Sequence, residues 1–195
     1  VQTPAFDRIA REGIRFTGAF CDAPTCGPSR SAILTGQPIW RLEEAGNIHS
    51  TLPAKFATYT ALLQTAGYNV GFTGKGWSPG RLQPGGRTLN PAGKEFNRRR
   101  LQPEFRSMAN KDYAGNFDDF LAQVPADVPF CFWLGTHEPH RGYEQGAGRR
   151  TGKDPTRVTV PPIFPDHERV RNDMLDYFVE IEHFDKMVAR AIRSL

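Results

Sequence analysis

Five polar side chains in this 195-residue chain are of types that can bind and attack a tetrahedral anion. Cys26 lies in the turn-like stretch "DAPTCGPSR", and Arg30 follows it four residues later. Lys75 occurs in "TGKGW", and His137 and His140 occur in "HEPH". A guanidinium can hold two oxygens at once, a lysine adds a point charge, and histidines donate or accept protons. Cations and proton carriers that converge on one nucleophile favour transfer of a sulfuryl or phosphoryl group.

The surroundings of Cys26 distinguish it from the other two cysteines. Cys21 ends an apolar run, and Cys131 lies within the run "FCFWL", which is typical of a buried thiol. Cys26 instead precedes "SRSAILTG", which predicts a helix with Ser29 as its N-cap. The partial positive charge at the start of a helix, together with Arg30, favours a thiolate or a bound oxyanion. Three cysteines do not form a disulfide framework.

The elements that must position these side chains follow from apolar periodicity, helix caps and glycines. The pattern predicts helices over residues 4–12, 29–36, 53–66, 117–124 and 166–195, strands over 14–20, 68–74 and 129–136, and loops over 76–116 and 145–166. The continuously apolar run over 129–136 is typical of a strand buried on both faces. Helices that alternate with strands indicate an α/β fold with a mostly parallel sheet.

Three of the candidate residues share a position relative to these strands. Cys26, Lys75 and His137 each follow a predicted strand. Because the carboxyl ends of parallel strands meet at one edge of a sheet, we expect these loops to gather where open α/β sheets bind ligands.

Composition excludes several classes of function. Hydrophobic residues make up 38% and charged residues 24% of the chain, which is typical of a soluble globular protein. No apolar run approaches the ~20 residues that a membrane-spanning helix needs. The net charge of +4 favours anionic partners. Neither zinc-finger spacing nor an aromatic-basic RNA-binding signature is present, so we expect no nucleic-acid partner.

Four stretches, taken in order, resemble the sulfatase family. "CGPSRSAILTG" resembles its signature, and "TPAFDRIAREGIRFTGAF", "TLPAKFATYTALLQTAGYNVGFTGKG" and "PFCFWLGTHEPHR" are similar to its neighbouring blocks. The heparan N-sulfatase-like branch is the most similar. The resemblance implies a three-layer α/β sandwich of the alkaline-phosphatase type. It also implies that residues 1–195 are the N-terminal part of a catalytic domain, without its first strand and its C-terminal part.

The resemblance implies hydrolysis of sulfate esters or sulfamates on a sulfated glycan. A formylglycine-generating maturation enzyme would oxidise Cys26 to formylglycine. The hydrated aldehyde would attack sulfur, and the sulfated diol would then expel sulfate. Arg30 would hold the diol. Lys75 and His137 would bind sulfate oxygens, with His137 assisting the leaving group.

The resemblance also implies two substrate contacts and a metal. His140 and Arg141 would contact the glycan. Calcium would be bound by oxidised Cys26 and by ligands outside this chain, so we expect residues 1–195 alone to be inactive. One departure from the family is Trp77, which occupies the place of a histidine found in many sulfatases. Export to the periplasm or secretion is the location that the family implies.

Two alternatives remain open at this point. Phosphonate or phosphodiester hydrolases of the same superfamily use the same formylglycine motif. A truncated sulfatase-like domain that only binds sulfated polymers would retain the four family-like stretches but would not catalyse hydrolysis.

Overall fold

Six helices and three strands follow one another along the chain in the computed structural model, which describes residues 1–195. They are α1 (Pro4–Glu12), α2 (Cys26–Thr35), α3 (Tyr59–Thr65), β1 (Asn69–Gly74), β2 (Lys94–Glu95), α4 (Tyr113–Leu121), β3 (Phe130–Gly135), α5 (Ala147–Arg150) and α6 (Glu168–Arg193). The chain divides into two compact units. The sheet unit comprises residues 16–98 and 115–135, and the helical unit comprises residues 1–15, 99–114 and 136–195.

The sheet unit is built on three parallel strands in the order β2-β1-β3. The central strand, β1, pairs with β3 from Asn69 opposite Phe130 to Gly74 opposite Gly135. These pairings confirm the predicted parallel sheet. The prediction that the third strand is buried on both faces is wrong for this chain, because β3 lies at the edge of the sheet and is only half-buried.

Aromatic side chains hold α4 against the sheet. Phe117 and Phe120 of α4 pack on Phe132 of β3, with ring centroids 4.9 and 4.7 Å away. A glycine on β1 makes room for this contact, since a Cβ on Gly71 would lie 2.8 Å from the Phe120 ring. The fixed spacing between α4 and the sheet therefore depends on a residue without a side chain.

The helix α2 begins earlier than its sequence suggests. Its first residue is Cys26, three residues before the predicted start at Ser29, and its N-cap is Thr25, so Ser29 lies inside the helix. The predicted end is confirmed, because Gly36 closes the helix with φ at +64°. A second apolar cluster, formed by Leu34, Leu42, Ala45, Leu52 and Trp77, packs α2 into the sheet unit.

Other predicted elements also differ from the structure, and the helix predicted over residues 117–124 is α4, which begins at Tyr113 and ends at Leu121. Residues 14–20 form no strand, and Phe20 in this stretch is 95% exposed. These residues have no neighbouring strand to pair with. The helix predicted over residues 53–66 is shorter, because it begins after Thr58, whose hydroxyl accepts from the backbone N–H of Ala61.

The helical unit is organised by α6, which is 26 residues long. Its buried Asp185 accepts from the backbone N–H groups of Ala5 and Phe6, at 3.1 and 2.8 Å, and so caps the start of α1. Lys153, which follows α5, forms a largely buried ion pair with Glu182 of α6 at 2.7 Å. The regions predicted as loops also contain short elements, namely β2 and α5.

Candidate functional site

Cys26 lies where a helix concentrates unpaired N–H groups. It is the first residue of the ten-residue α2, is half-buried and carries a free thiol. The first turn contains no acidic residue, and Thr25 contributes no side-chain cap. The partial positive charge of this terminus is therefore not neutralised by a local carboxylate.

Arg30 is anchored by the loop that follows β1. Its Nη1 donates to the carbonyl oxygens of Lys75 at 2.6 Å and Gly76 at 2.9 Å. The guanidinium also lies 5.6 Å from the ring centroid of Trp133. Burial lowers the pKa of Arg30 and the neighbouring Cys26 raises it. Arginine stays protonated in proteins, so this side chain supplies a fixed cation to the start of α2.

Lys75 is held by backbone contacts at the carboxyl end of β1. Its N–H donates to the carbonyl oxygen of Gly135, the last residue of β3, at 2.5 Å. A Cβ on Gly135 would lie 2.3 Å from the Lys75 carbonyl oxygen, so the close approach requires glycine. Asn97 Oδ1 accepts from Gly74 N–H at 2.6 Å and fixes the residue before Lys75. No sequence pattern points to Asn97, which lies in a polar loop.

Trp77 is a core residue. Its side chain is 3% exposed, and its Nε1–H donates to the Ser31 hydroxyl at 2.8 Å. Asn90 fixes its backbone, accepting from Trp77 N–H and donating to the Trp77 carbonyl oxygen, both at 3.0 Å. Trp77 therefore serves α2 packing and cannot form the floor of a sugar subsite.

His137, His140 and Arg141 lie in the helical unit, in the segment after β3. Both histidines are exposed, and His140 N–H donates to the His137 carbonyl oxygen at 2.9 Å, closing a turn. His140 Nδ1 lies 3.0 Å from the Arg141 carbonyl oxygen. A carbonyl only accepts, so Nδ1 carries a proton and Nε2 is the nitrogen left for a ligand.

Two buried residues that the sequence did not single out support this turn. The Tyr113 hydroxyl accepts from His137 N–H at 3.0 Å and donates to Glu138 Oε2 at 2.8 Å. Glu138 Oε1 accepts from Ala109 N–H at 2.7 Å. A tyrosine at the start of α4 resembles any apolar core residue in the sequence, so only its contacts reveal this role.

Arg141 is already paired. Its guanidinium donates to both carboxylate oxygens of Asp173 on α6, at 2.9 and 2.5 Å, and lies 5.0 Å from the Tyr143 ring centroid. Hydrogen bonding to Asp173 raises the pKa of Arg141. An acidic sugar would therefore have to compete with Asp173 for this arginine.

The predicted residues thus fall into two groups. The sheet unit brings together Cys26, the Arg30 guanidinium and the backbone of Lys75. The helical unit contains the turn from His137 to Arg141. No group of three or more His, Cys, Asp and Glu residues has the arrangement of a metal site. No helix has the length and apolarity needed to cross a membrane.

Comparison with known proteins agrees with the predicted family. The family model described as Sulfatase matches residues 1–195. N-acetylglucosamine-6-O-sulfatase of Bacteroides thetaiotaomicron is 29% identical over 194 residues, covering 94% of this chain and 34% of the relative. Human N-sulphoglucosamine sulphohydrolase is 27% identical over 224 residues, covering 100% of this chain and 42% of the relative. The chain therefore spans less than half the length of these relatives.

A solved structure agrees with the predicted fold. The crystal structure of a Bacteroides thetaiotaomicron protein assigned as a sulfatase superposes with a TM-score of 0.68 at 18% identity. The superposition covers 99% of this chain and 49% of that chain. The predicted α/β fold of the alkaline-phosphatase type, with a parallel sheet, is confirmed.

Proposed function

Because the chain belongs to the sulfatase family, we propose that the protein containing it hydrolyses sulfate esters or sulfamates on a sulfated glycan. The observation that carries this proposal is the placement of Cys26 at the first position of α2, beside Arg30. A maturation enzyme would oxidise the Cys26 thiol to formylglycine. Once hydrated, formylglycine supplies an oxygen nucleophile for sulfur.

The protein groups around this nucleophile favour a bound anion. Arg30 is held by carbonyl oxygens rather than by a carboxylate, so its positive charge is not cancelled. Its remaining N–H groups can hold the hydrated side chain and the developing negative charge. The Lys75 ammonium and the His137 imidazole bind sulfate oxygens, and His137 gives a proton to the leaving oxygen or nitrogen.

The relatives support a sulfated amino sugar as substrate. One is named for 6-O-sulfated N-acetylglucosamine and the other for N-sulphoglucosamine. Both names specify sulfur rather than phosphorus, which favours a sulfatase over a phosphonate or phosphodiester hydrolase. The net charge of +4 suits a polyanionic glycan, which His140 and Arg141 contact beyond the sulfate group.

Calcium is the ion that the family resemblance implies, but residues 1–195 do not form a site that fits it. No set of three acidic, histidine or cysteine side chains has the arrangement of a metal site. Calcium takes 6–8 oxygen ligands. Those ligands, other than oxidised Cys26, come in this proposal from outside these residues. Export to the periplasm or the cell exterior is the location we propose.

The test is the mass of one peptide, followed by activity. The full-length protein is co-expressed with a formylglycine-generating enzyme and digested with trypsin, and the peptide Phe16–Arg30 is weighed. We expect the Cys26 sulfur to be replaced by a carbonyl oxygen. We also expect hydrolysis of 6-O-sulfated or N-sulfated glucosamine, with no release of phosphate from the matching phosphate ester.

Two variants serve as controls for this test. Cys26→Ala removes the modified residue and should abolish activity, whereas Cys131→Ala should still be modified at Cys26. An unmodified Cys26 in the wild type, in cells where a known substrate of the same enzyme is converted, would overturn the proposal. That result would favour the alternative of a domain that only binds sulfated polymers.

A further inference from the structure

The exposed turn from His137 to His140 rests on a buried group of ionisable side chains in the helical unit. Tyr113 has no exposed surface, Glu180 is 3% exposed, Glu138 is 4% exposed and His183 is 8% exposed. They come from three different segments: the start of α4, the turn itself and α6. Burying four such groups together is costly for a fold.

The hydrogen bonds around this turn converge on the carboxylate of Glu138. His137 N–H donates to Tyr113 Oη, and Tyr113 O–H donates to Glu138 Oε2. The other Glu138 oxygen accepts from Ala109 N–H. Since both carboxylate oxygens meet donors, Glu138 is satisfied in its ionised form. A negative charge behind the tyrosine strengthens its oxygen as the acceptor for His137 N–H.

Two neighbouring groups contain buried polar atoms without a partner, which lowers stability. Glu180 and His183 are three residues apart on α6, so they share one helix face. Glu180 Oε1 and His183 Nε2 are buried and have no hydrogen-bond partner. Native proteins pair almost all buried polar groups. Apolar residues would serve packing better at these positions, and a buried ionisable cluster beside a histidine turn is typical of a functional site.

Charged and titratable groups face this cluster from each packed segment. The Glu180 side chain hydrogen-bonds Ser107 and interacts electrostatically with Glu138, His140, Tyr113 and Tyr143. The His183 side chain interacts electrostatically with Glu138, Lys186 and Glu104. Burial, followed by the charges of Glu138 and Glu180, raises the pKa of Tyr113, whereas its bond with His137 N–H lowers it. The net direction is upward, so Tyr113 keeps its proton and remains a donor to Glu138.

We propose that Tyr113 and Glu138 are positioning residues for His137, fixing the backbone from which its imidazole meets the substrate. The proposal rests on the sulfatase function proposed above. Neither residue touches the substrate. His137 N–H is held by a buried hydroxyl rather than by a strand or helix ladder, so this pair fixes the backbone at the position from which the His137 side chain extends.

The first test replaces Tyr113 by Phe in the full-length, matured protein. The ring volume is kept, and only the hydroxyl between His137 N–H and Glu138 is lost. We expect kcat to fall by about tenfold to a hundredfold, since displacing a reacting group by about 1 Å has effects of this size. The KM should change less than kcat. The matched control is Tyr177→Phe, which removes a hydroxyl from α6 outside the pair and should leave kcat unchanged. A Tyr113→Phe variant with wild-type kcat would overturn the proposal.

A second measurement does not depend on activity. The imidazole resonances of ¹⁵N-histidine-labelled protein are followed across pH, and His137 is assigned with a His137→Gln variant. We expect the His137 ring signals and their titration to change in Tyr113→Phe and to stay as in the wild type in Tyr177→Phe. An unchanged His137 titration would overturn the positioning role even if kcat fell. Glu138→Gln keeps the side-chain volume but replaces one accepting oxygen by an amide that donates. If Tyr113→Phe fails to fold, the His137 titration is measured in Glu138→Gln instead.

The two tests separate failure of the inference from failure of the proposed function. If the matured wild type hydrolyses no sulfated sugar, the sulfatase proposal fails, and the histidine titration still decides whether Tyr113 positions His137. If the wild type is active and Tyr113→Phe equals it in both kcat and titration, only the inference fails.

Discussion

Arg30 Nη1 donates a hydrogen bond to the carbonyl oxygen of Lys75 at 2.6 Å. The same nitrogen reaches the Gly76 carbonyl oxygen at 2.9 Å, so α2 is tied to the segment after β1 through one guanidinium. Both acceptors are neutral carbonyl groups. The arrangement therefore immobilises the cation without cancelling its charge, which is what an anion-binding site needs.

Replacing Arg30 by Lys should distinguish the effect of the guanidinium's fixed position from the effect of its positive charge. Lysine keeps the positive charge but lacks the planar guanidinium with its several N–H donors. It therefore cannot donate to both carbonyl oxygens and still face a bound anion. We expect kcat/KM of the matured full-length protein to fall by about a hundredfold or more. The free energy of unfolding should fall by about 1–3 kcal/mol, because a half-buried carbonyl loses its donor. Steady-state kinetics and urea denaturation measure the two effects.

The matched control is Arg41→Lys. Arg41 is exposed and lies 5.9 Å from the Trp40 ring centroid. We expect this change to leave kcat/KM unaltered and stability within about 0.5 kcal/mol of the wild type. Equal effects of the two substitutions would show that the bonds from Arg30 to the carbonyl oxygens contribute nothing specific.

Trp77 and Ser31 should be energetically coupled. Trp77→Phe removes the indole N–H that donates to the Ser31 hydroxyl, and Ser31→Ala removes the acceptor. In a double-mutant cycle by urea denaturation, we expect a coupling free energy of about 1 kcal/mol. The KM for a sulfated sugar should not change, because Trp77 is buried. The comparison is Trp40→Phe, which alters a 79% exposed indole. A coupling near zero would contradict the structural role assigned to Trp77.

Asp185 should be more important for stability than other carboxylates near α1. Asp185→Ala leaves the N–H groups of Ala5 and Phe6 without their acceptor in the interior. We expect the free energy of unfolding to fall by about 1–3 kcal/mol. Asp7→Ala changes an exposed carboxylate in the first turn of α1 and should cost about 0.5 kcal/mol or less. Thermal or urea denaturation distinguishes the two, and equal losses would contradict the capping role.

Glu180 gives stability a pH dependence of defined sign. Burial, supported by the charge of Glu138, raises the pKa of Glu180 above its ordinary value of about 4.3. Between the pKa of Glu180 in the unfolded state and its higher pKa in the folded state, the folded protein therefore holds a proton that the unfolded protein has lost. The resulting contribution to stability is complete below the unfolded pKa and is lost as pH rises through the folded pKa.

Glu180→Gln removes this dependence, because the amide does not ionise. Plotted against pH, the melting temperature of the wild type minus that of Glu180→Gln should fall as pH rises above about 4.3, and then level off. Glu182→Gln, two residues further along α6, is the control, because that carboxylate is paired with Lys153. A wild-type minus Glu180→Gln difference that stays flat or rises over this range would contradict a raised pKa.

The sequence predicted the sheet better than the site. The run from Phe130 to Gly135 is strongly apolar, the run from Asn69 to Gly74 follows a predicted helix, and both end in glycine, so both strands and their parallel pairing could be predicted. The start of α2 was misplaced by three residues, since Ser29 is as good a cap by type as Thr25. Residues 14–20 have the apolar content of a strand, but strand formation needs a partner as well as propensity.

Candidate site residues could be proposed from their residue types, but their contacts could not be predicted. Cys26 and Arg30 are recognisable because a thiol and a guanidinium in a turn have few structural uses. The Tyr113–Glu138 pair could not be found this way, because a buried tyrosine and a buried glutamate 25 residues apart have no local pattern. The sequence alone does not place Trp77, since an indole suits both a sugar-binding surface and a core. The hydrogen bond from its indole N–H to the Ser31 hydroxyl identifies Trp77 as a core residue.

The parallel pairing of β1 with β3 also sets the order of events during synthesis. Asn69 pairs with Phe130, 61 residues later, so the central strand has no partner on this side until the chain beyond residue 130 has emerged. Long-range parallel pairing is slow compared with helix formation. During this interval the loop that binds Arg30 is not yet held by Gly135. A modifying enzyme that reads extended chain would thus meet Cys26 before the sheet encloses its neighbours, and the topology provides a kinetic window for chemistry on the nascent polypeptide.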